Sequence, residues 1–179
     1  MDRSVRIGRT LAAGLVFVTA SYHLWWGFPR TLVYLQGLSS FTERGLLPDP
    51  RPFLFVALAL VLLTGPYLVT RDRLSVRRAY VAGIVFVLLS FGAWVFWHQT
   101  GHGAFLRGVP APETTSHSHG GVLYSIYDHY VTTPTEGIVK SVELLAAGLF
   151  AWLLRNDPDA NGTVATDEES VESTRATGE

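Results

Sequence analysis

The sequence contains no cysteine and a single lysine, Lys140, in 179 residues. The lack of cysteine excludes disulfides, thiolate metal sites and thiol chemistry. Charged residues make up only 16% of the chain, whereas hydrophobic residues make up 48%. The few basic residues follow the edges of apolar runs and form no basic surface, so we expect no nucleic-acid partner.

Four long runs that are poor in charge dominate the chain, at residues 7–28, 53–70, 79–98 and 136–154. Each is close to the length of about 20 residues that a helix needs to cross a bilayer. Backbone inside lipid must satisfy its own hydrogen bonds, which favours helices. The alternative, a soluble helical bundle, would need a polar stripe at helical spacing, and residues 53–63 have none. The sequence therefore predicts an all-α integral membrane four-helix bundle whose main contact is the lipid bilayer.

The placement of arginine predicts the orientation. Arginines precede the first run and crowd the link between the second and third runs, whereas the link at 99–135 carries only Arg107. Basic residues near the ends of spans stay cytoplasmic, so we predict a cell-membrane protein with both termini cytoplasmic and a long outer loop. As an alternative, residues 18–20 before Ser21 are a signal-peptide cleavage site. Against this alternative, the apolar stretch continues through Trp26.

The C-terminal segment differs in composition from the rest of the chain. We predict one membrane domain at residues 1–155 and a disordered cytoplasmic tail at 156–179, because the tail is polar and has no apolar face to bury. Its acidic residues are Asp157, Asp159, Asp167, Glu168, Glu169, Glu172 and Glu179. Scarce lysine beside such a tail resembles small multi-pass membrane proteins of halophilic archaea, a group of unknown function. The resemblance covers composition and span layout only, and it implies no site residue.

Two links carry local signals. In the link at 28–52, leucines recur three apart within residues 30–38, which indicates a short amphipathic segment in the membrane interface, with an irregular loop as the alternative. Before the fourth span, Thr133, Pro134 and Glu136 match a capping box, with a hydroxyl at the N-cap, proline at the first helical position and Glu at the third. The sequence therefore gives Glu136 a role in starting a helix.

The histidines are all predicted to lie in or near the outer half of the membrane or outside it. Imidazole and carboxylate ligands without cysteine suit zinc, copper or iron. His98 and His102 are four apart, which places both rings on one face if the third helix continues outward. The candidate ligands of a divalent metal are His98, His102, His117, His119, Asp128 and His129. The alternative is that the loop histidines are solvated and bind nothing.

Ionisable residues inside the spans form a second candidate site. His23 and Glu143 are predicted to lie about 10 Å inside the same leaflet, from the rise of 1.5 Å per residue. Lys140 precedes Glu143 by three residues and can reach it on one helix face. Charged groups at this depth face the bundle interior and find a partner. We predict a polar cluster of His23, Lys140 and Glu143, which is either a functional pocket or only a buried ion pair that fixes helix packing.

Three classes of function are compatible with these patterns. The sequence favours a non-enzymatic accessory protein that binds a membrane protein partner or assembles as a homo-oligomer. The alternative is a membrane redox protein that binds a divalent metal, or haem with His23 and His98 as axial ligands. The predicted difference in depth between these two histidines, about one to two helical turns, weakens the haem hypothesis. A further alternative is a small transporter or channel subunit.

Overall fold

The fold is helical throughout the part of the chain that the computed structural model describes, residues 2–45, 49–100 and 121–162. In these ranges the chain forms six helices and no strand. They are α1 (Arg3–Gln36), α2 (Leu38–Glu43), α3 (Arg51–Thr70), α4 (Val76–Gln99), α5 (Gly121–Thr132) and α6 (Pro134–Asn156). Four of them, α1, α3, α4 and α6, are long and apolar enough to cross a membrane. The prediction of an all-helical chain with four candidate spans is confirmed.

The first helix is longer than the span predicted at residues 7–28. It continues through Pro29 to Gln36 and is followed directly by the short helix α2. Proline has no N–H to donate, but the chain stays helical here, and the Arg30 side chain donates to the Trp26 carbonyl at 2.8 Å. The segment at 30–38 is therefore mostly a continuation of α1 and not an irregular loop. A helix of 34 residues is about 51 Å long, so α1 exceeds the hydrocarbon thickness of about 30 Å.

The four long helices pack as a bundle in which α1 and α6 are central. Helix α1 lies against α3 and α6, and α4 lies mainly against α6, whereas α3 and α4 touch little. Small residues allow the closest approaches: a Cβ at Gly83 on α4 would lie 2.6 Å from the Phe150 ring on α6. The buried apolar core consists of Val5, Ala12, Val16, Ala20, Ala59, Leu62, Tyr80, Ala146, Phe150, Leu153 and Ala160.

Large apolar side chains also cover the outside of the bundle. Leu54, Leu89 and Leu145 are each about 60% exposed, at 60%, 62% and 63%, and they lie on three different spans. Water-soluble domains rarely show large contiguous apolar surfaces, whereas lipid-facing helices do so normally. The outer surface therefore favours the membrane interpretation over the soluble bundle.

The predicted long outer loop is helical in its second part. Residues 121–132 form α5, which packs on the start of α6. The Tyr130 ring lies over Gly137, where an added Cβ would be 2.9 Å from it, and the Tyr130 hydroxyl contacts the Ser141 hydroxyl. Helix α5 thereby brings Asp128 and His129 against the bundle. Residues 101–120, which include His102, His117 and His119, lie outside the described residues.

The prediction of a disordered tail from residue 156 is wrong for its first residues. Asn156 ends α6, and the next residue, Asp157, is 0% exposed. Its carboxylate accepts hydrogen bonds from Arg9 Nε at 2.7 Å, Arg9 Nη2 at 2.6 Å and the Tyr80 hydroxyl at 2.6 Å. The prediction failed because it treated Asp157 as part of an acidic run, whereas Arg9, inside α1, provides a partly buried counter-charge. Residues 163–179 lie outside the described residues.

Candidate functional site

The structure brings together the three ionisable side chains predicted to form a polar cluster. His23 Nε2 lies 3.5 Å from Glu143 Oε1, and Lys140 Nζ lies 2.8 Å from Glu143 Oε2. His23 and Glu143 are each 1% exposed and Lys140 is 6% exposed. His23 comes from α1, while the other two residues are one turn apart on α6. The cluster therefore lies on the contact between the two central helices, well inside the bundle.

Ser90, on α4, completes this cluster and was missed by sequence reasoning. Its hydroxyl donates to Glu143 Oε2 at 3.1 Å and accepts from Lys140 Nζ at 2.9 Å. Ser90 is the only serine or threonine in the apolar run at 79–98. A lone hydroxyl in such a run is a signal that could have been used, because polar side chains in spans tend to bond across helices.

The His23 ring is held from two sides. Its Nδ1 lies 2.9 Å from the backbone carbonyl of Thr19, one turn earlier in α1. The ring also makes a T-shaped contact with the Phe55 ring of α3, with the centroids 4.7 Å apart and the planes nearly perpendicular. Both ring nitrogens therefore have neighbours, Thr19 on one side and Glu143 on the other. An iron atom ligated by His23 would have to displace one of them, which weakens the haem hypothesis.

A second cluster lies at the end of the bundle where α4, α5 and α6 meet. One ligand atom from each of His98, His129 and Glu136 lies within 4.8 Å of the other two. The rings of His98 and His129 are perpendicular, with centroids 4.0 Å apart, and His98 Nε2 is 4.0 Å from Glu136 Oε2. Two imidazoles and one carboxylate are a ligand set typical of zinc and of non-haem iron.

Trp94 orients the members of this second cluster. Its backbone carbonyl lies 2.7 Å from His98 Nδ1, and its indole N–H donates to Glu136 Oε2 at 3.3 Å. Because a carbonyl only accepts, the contact places a proton on Nδ1 and turns Nε2 towards the carboxylate. Metal-binding histidines commonly use one nitrogen for such an outer hydrogen bond and the other for the metal.

The metal ligands predicted from sequence agree only in part with this cluster. His98 and His129 belong to it, whereas Asp128, although adjacent to His129, does not. The third member is Glu136, to which the sequence gave a capping role. Thr133 does occupy the N-cap of α6, but it makes no side-chain capping bond; its hydroxyl donates to the His129 carbonyl instead. The predicted helix start is therefore correct, and the predicted capping-box hydrogen bonds are not formed.

One cavity of about 280 Å³ connects the two clusters. His23, Ser90 and Lys140 line one part of it, and His98 and Glu136 line another. Its walls also include Tyr22, Trp26, Phe55, Trp94 and Trp97. Members of both clusters thus face a common space with several aromatic rings in its walls, which neither the spacing of histidines nor their depth had predicted.

Arg51, the first residue of α3, lies on the wall of this cavity. Its guanidinium is 4.1 Å from the centre of the Trp97 ring and 5.7 Å from that of Trp26. Its charge is paired with Asp49, at 2.6 Å. These contacts place Trp26 of α1 and Trp97 of α4 at the same end of the bundle.

Comparison of the chain with protein-family models, curated proteins and solved structures found no match.

Proposed function

We propose that this chain is a four-span membrane protein that binds one divalent transition-metal ion through His98, His129 and Glu136. The single observation that supports the proposal most strongly is the convergence of three ligand atoms of suitable type within 4.8 Å. Ligands about 2.0–2.2 Å from zinc lie about 3.3–3.6 Å apart. A contraction of about 1 Å, which rotation of side chains can supply, would close the set around an ion.

The chemistry of the surroundings also supports this proposal. The Trp94 carbonyl sets the protonation of His98, and the Trp94 indole bonds the Glu136 carboxylate, so a residue outside the ligand set touches two of its members. Three protein ligands leave a fourth position for water or a small molecule, and two of the three, His98 and Glu136, line the cavity. Metal binding alone requires no catalysed reaction, so the proposed site is compatible with the non-enzymatic role that the sequence favours. Partner binding and transport lack a comparable observation within the described ranges.

The metal proposal can be tested on the purified full-length protein in lipid nanodiscs. After chelation and dialysis, we expect one equivalent of Zn²⁺ to bind, and Co²⁺ to give the visible absorption of a site with nitrogen and oxygen ligands. Loss of an outer hydrogen bond already weakens metal sites about 10- to 100-fold. We therefore expect His98→Ala, His129→Ala and Glu136→Gln each to weaken binding by at least about 100-fold.

Asp128→Asn is the matched control, because Asp128 neighbours His129 but lies outside the cluster. It should bind Zn²⁺ like the parent. The proposed site is wrong if the three ligand variants retain parental affinity. It is equally wrong if binding is abolished only by replacing the histidines at 102, 117 and 119, since the ion would then be held by that segment alone.

We also propose that both termini are cytoplasmic. Arg9 and Asp157 are in contact, and Tyr80 near the start of α4 touches the same carboxylate. The N-terminal arginines, the arginine-rich link at 71–78 and the C-terminal end of α6 therefore lie at one end of the bundle. Positively charged residues close to spans favour the cytoplasmic side, which supports this end as the inner one.

The absence of cysteine makes the orientation simple to measure. Single cysteines at Ser4, Ser75, Ser116 and Thr174 can be probed on intact cells with a thiol reagent that does not cross membranes. We expect labelling at Ser116 only. Labelling at Ser75 without labelling at Ser116 would reverse the proposed orientation.

A further inference from the structure

The hydrogen bond between His23 and Thr19 fixes one proton of the buried cluster. Nδ1 lies 2.9 Å from the Thr19 carbonyl oxygen. A backbone carbonyl has no proton to donate, so this contact requires a hydrogen on Nδ1. In a neutral imidazole the other nitrogen, Nε2, is then an acceptor that carries no hydrogen.

That second nitrogen faces another acceptor. Nε2 is 3.5 Å from Glu143 Oε1, and an ionised carboxylate can only accept. Glu143 Oε2 receives donors from Lys140 and Ser90, whereas Oε1 is buried without a hydrogen-bond donor in the described part of the chain. Two lone pairs facing each other at this distance, with both side chains 1% exposed, leave two buried acceptors unsatisfied, which is costly.

The other neighbours of His23 cannot remove this conflict. On α1, Tyr22 makes an edge contact with the His23 ring, and on α3 the neighbour is the uncharged ring of Phe55. On α4, the Ser90 hydroxyl donates to the opposite oxygen of Glu143. On α6, the Lys140 ammonium donates to that same oxygen and to Ser90. A separation of 3.5 Å is also too short for a bridging water between the two groups.

We propose that His23 and Glu143 share one dissociable proton, so that this cluster is a proton-binding site within the spans. The proton bonds Nε2 to Oε1 and gives each buried acceptor a partner. His23 lines the cavity whereas Glu143 does not, so the proton is exchanged with water through the cavity and the imidazole. The proton also sets the charge on the cavity wall. A polar molecule that binds in the cavity would therefore be bound with uptake or release of a proton. The proton site does not depend on metal binding.

Nitrogen NMR of the full-length protein, labelled with ¹⁵N-histidine in nanodiscs, tests the proposal directly. The His23 signals are identified by their loss in His23→Gln. At pH 7.5 we expect either both His23 nitrogens to be protonated, or a neutral ring together with the infrared carbonyl band of a carboxylic acid that Glu143→Gln removes. Each result places the shared proton on one of the two partners. A neutral His23 ring beside an ionised Glu143 would overturn the proposal.

A pair of variants tests whether Glu143 and Lys140 control the proton at His23. Glu143→Gln supplies an amide N–H that can donate to Nε2, so His23 should become neutral and its titration should disappear. Lys140→Met removes a positive charge beside the pair, which should strengthen proton binding and move the titration to higher pH. Titration of His23 that is unchanged in both variants, or that moves in the same direction in both, would contradict the proposal. Both substitutions preserve the approximate side-chain volume, and melting curves check that each variant is folded.

Discussion

Two buried ionic clusters lie about 21 Å apart along α6, since Glu143 and Asp157 are separated by 14 residues at 1.5 Å per residue. At Asp157, each carboxylate oxygen has two donors: Arg9 Nη2 and the Asp159 N–H on Oδ1, and Arg9 Nε and the Tyr80 hydroxyl on Oδ2. At Glu143, Oε2 also has two donors, but Oε1 has none among the residues that the structure describes. One cluster is saturated and the other is not.

The difference suggests different roles. A saturated cluster joins the ends of α1, α4 and α6 and leaves no acceptor for a ligand. The Glu143 cluster borders a cavity and keeps an acceptor that only a proton or a ligand can satisfy. Fully bonded buried networks rigidify a fold, whereas an orphaned polar atom needs a separate explanation. We therefore regard the Asp157 cluster as structural and the Glu143 cluster as part of the functional site.

The largest effect on stability is expected from Glu143→Ala. It leaves the Lys140 ammonium, 6% exposed, without its anionic partner, and breaking a buried ion pair costs about 3–5 kcal/mol. Replacing Glu143 and Lys140 together by leucine removes both charges and should cost much less. Glu143→Gln should lie between the two. Unfolding in mixed micelles measures the free energies, and an unchanged Glu143→Ala variant would contradict the buried cluster.

The double variant also sharpens the comparison with the Asp157 cluster. If the Glu143 cluster is functional, the double leucine variant should fold but should no longer show the His23 titration. It should also lose the proton uptake or release that accompanies binding of a polar molecule in the cavity. Retention of both properties would mean that this cluster, like the one at Asp157, serves only to hold helices together.

A smaller loss is expected when the chain is cut after Asn156. The cut removes Asp157 and leaves the Tyr80 hydroxyl and Arg9 without it. Arg9 keeps a partly exposed side chain, at 29%, and can be hydrated, so we expect a loss of about 1.5–3 kcal/mol, as for hydrogen bonds to a charged group. The matched control is a chain cut after Gly162, which keeps the cluster. Equal melting of the two truncated chains would show that Asp157 contributes nothing.

Much of this arrangement follows from local patterns in the sequence, and some of it does not. The four spans came from apolar length, and the proximity of His23 to Glu143 came from their equal depth. Ser90, Trp94 and the ligand role proposed for Glu136 depend on which faces of α4, α5 and α6 meet. Length and depth do not determine helix rotation. The lone hydroxyl of Ser90 in its apolar run was therefore a signal without a partner, and nothing in the sequence indicated that Trp94 and Glu136 would meet His98.

The C-terminal tail is a second case in which a contact between distant residues could not be predicted from a local pattern. Composition averaged over residues 156–179 indicates an unstructured acidic segment, but one carboxylate at its start is placed by a contact 148 residues away in sequence. A compositional argument assigns one state to a whole window. It cannot detect a single residue whose partner is an arginine on the first helix.

The smallest expected effect is the loss of the Asp157 contribution in acid. Burial by itself would raise the pKa of the Asp157 carboxyl, but hydrogen bonds from Arg9 and Tyr80 outweigh it and hold the pKa below its ordinary value of 3.8. A folded-state pKa below the unfolded one means that the stabilisation is complete above the unfolded pKa of about 3.9 and is lost as the pH falls through the folded pKa. The loss should be smaller than that from truncation, because a protonated Asp157 keeps its volume and its hydrogen-bonding capacity.

Melting of the parent and of Asp157→Asn can be compared between pH 7 and pH 3. The difference between their melting temperatures should be constant down to about pH 4 and should narrow below it. Asp159→Asn is the control, since that carboxylate is 61% exposed and its pairing with Arg9 should contribute less than about 1 kcal/mol. A difference that narrows already near pH 6 would show that a group other than Asp157 controls the acid response.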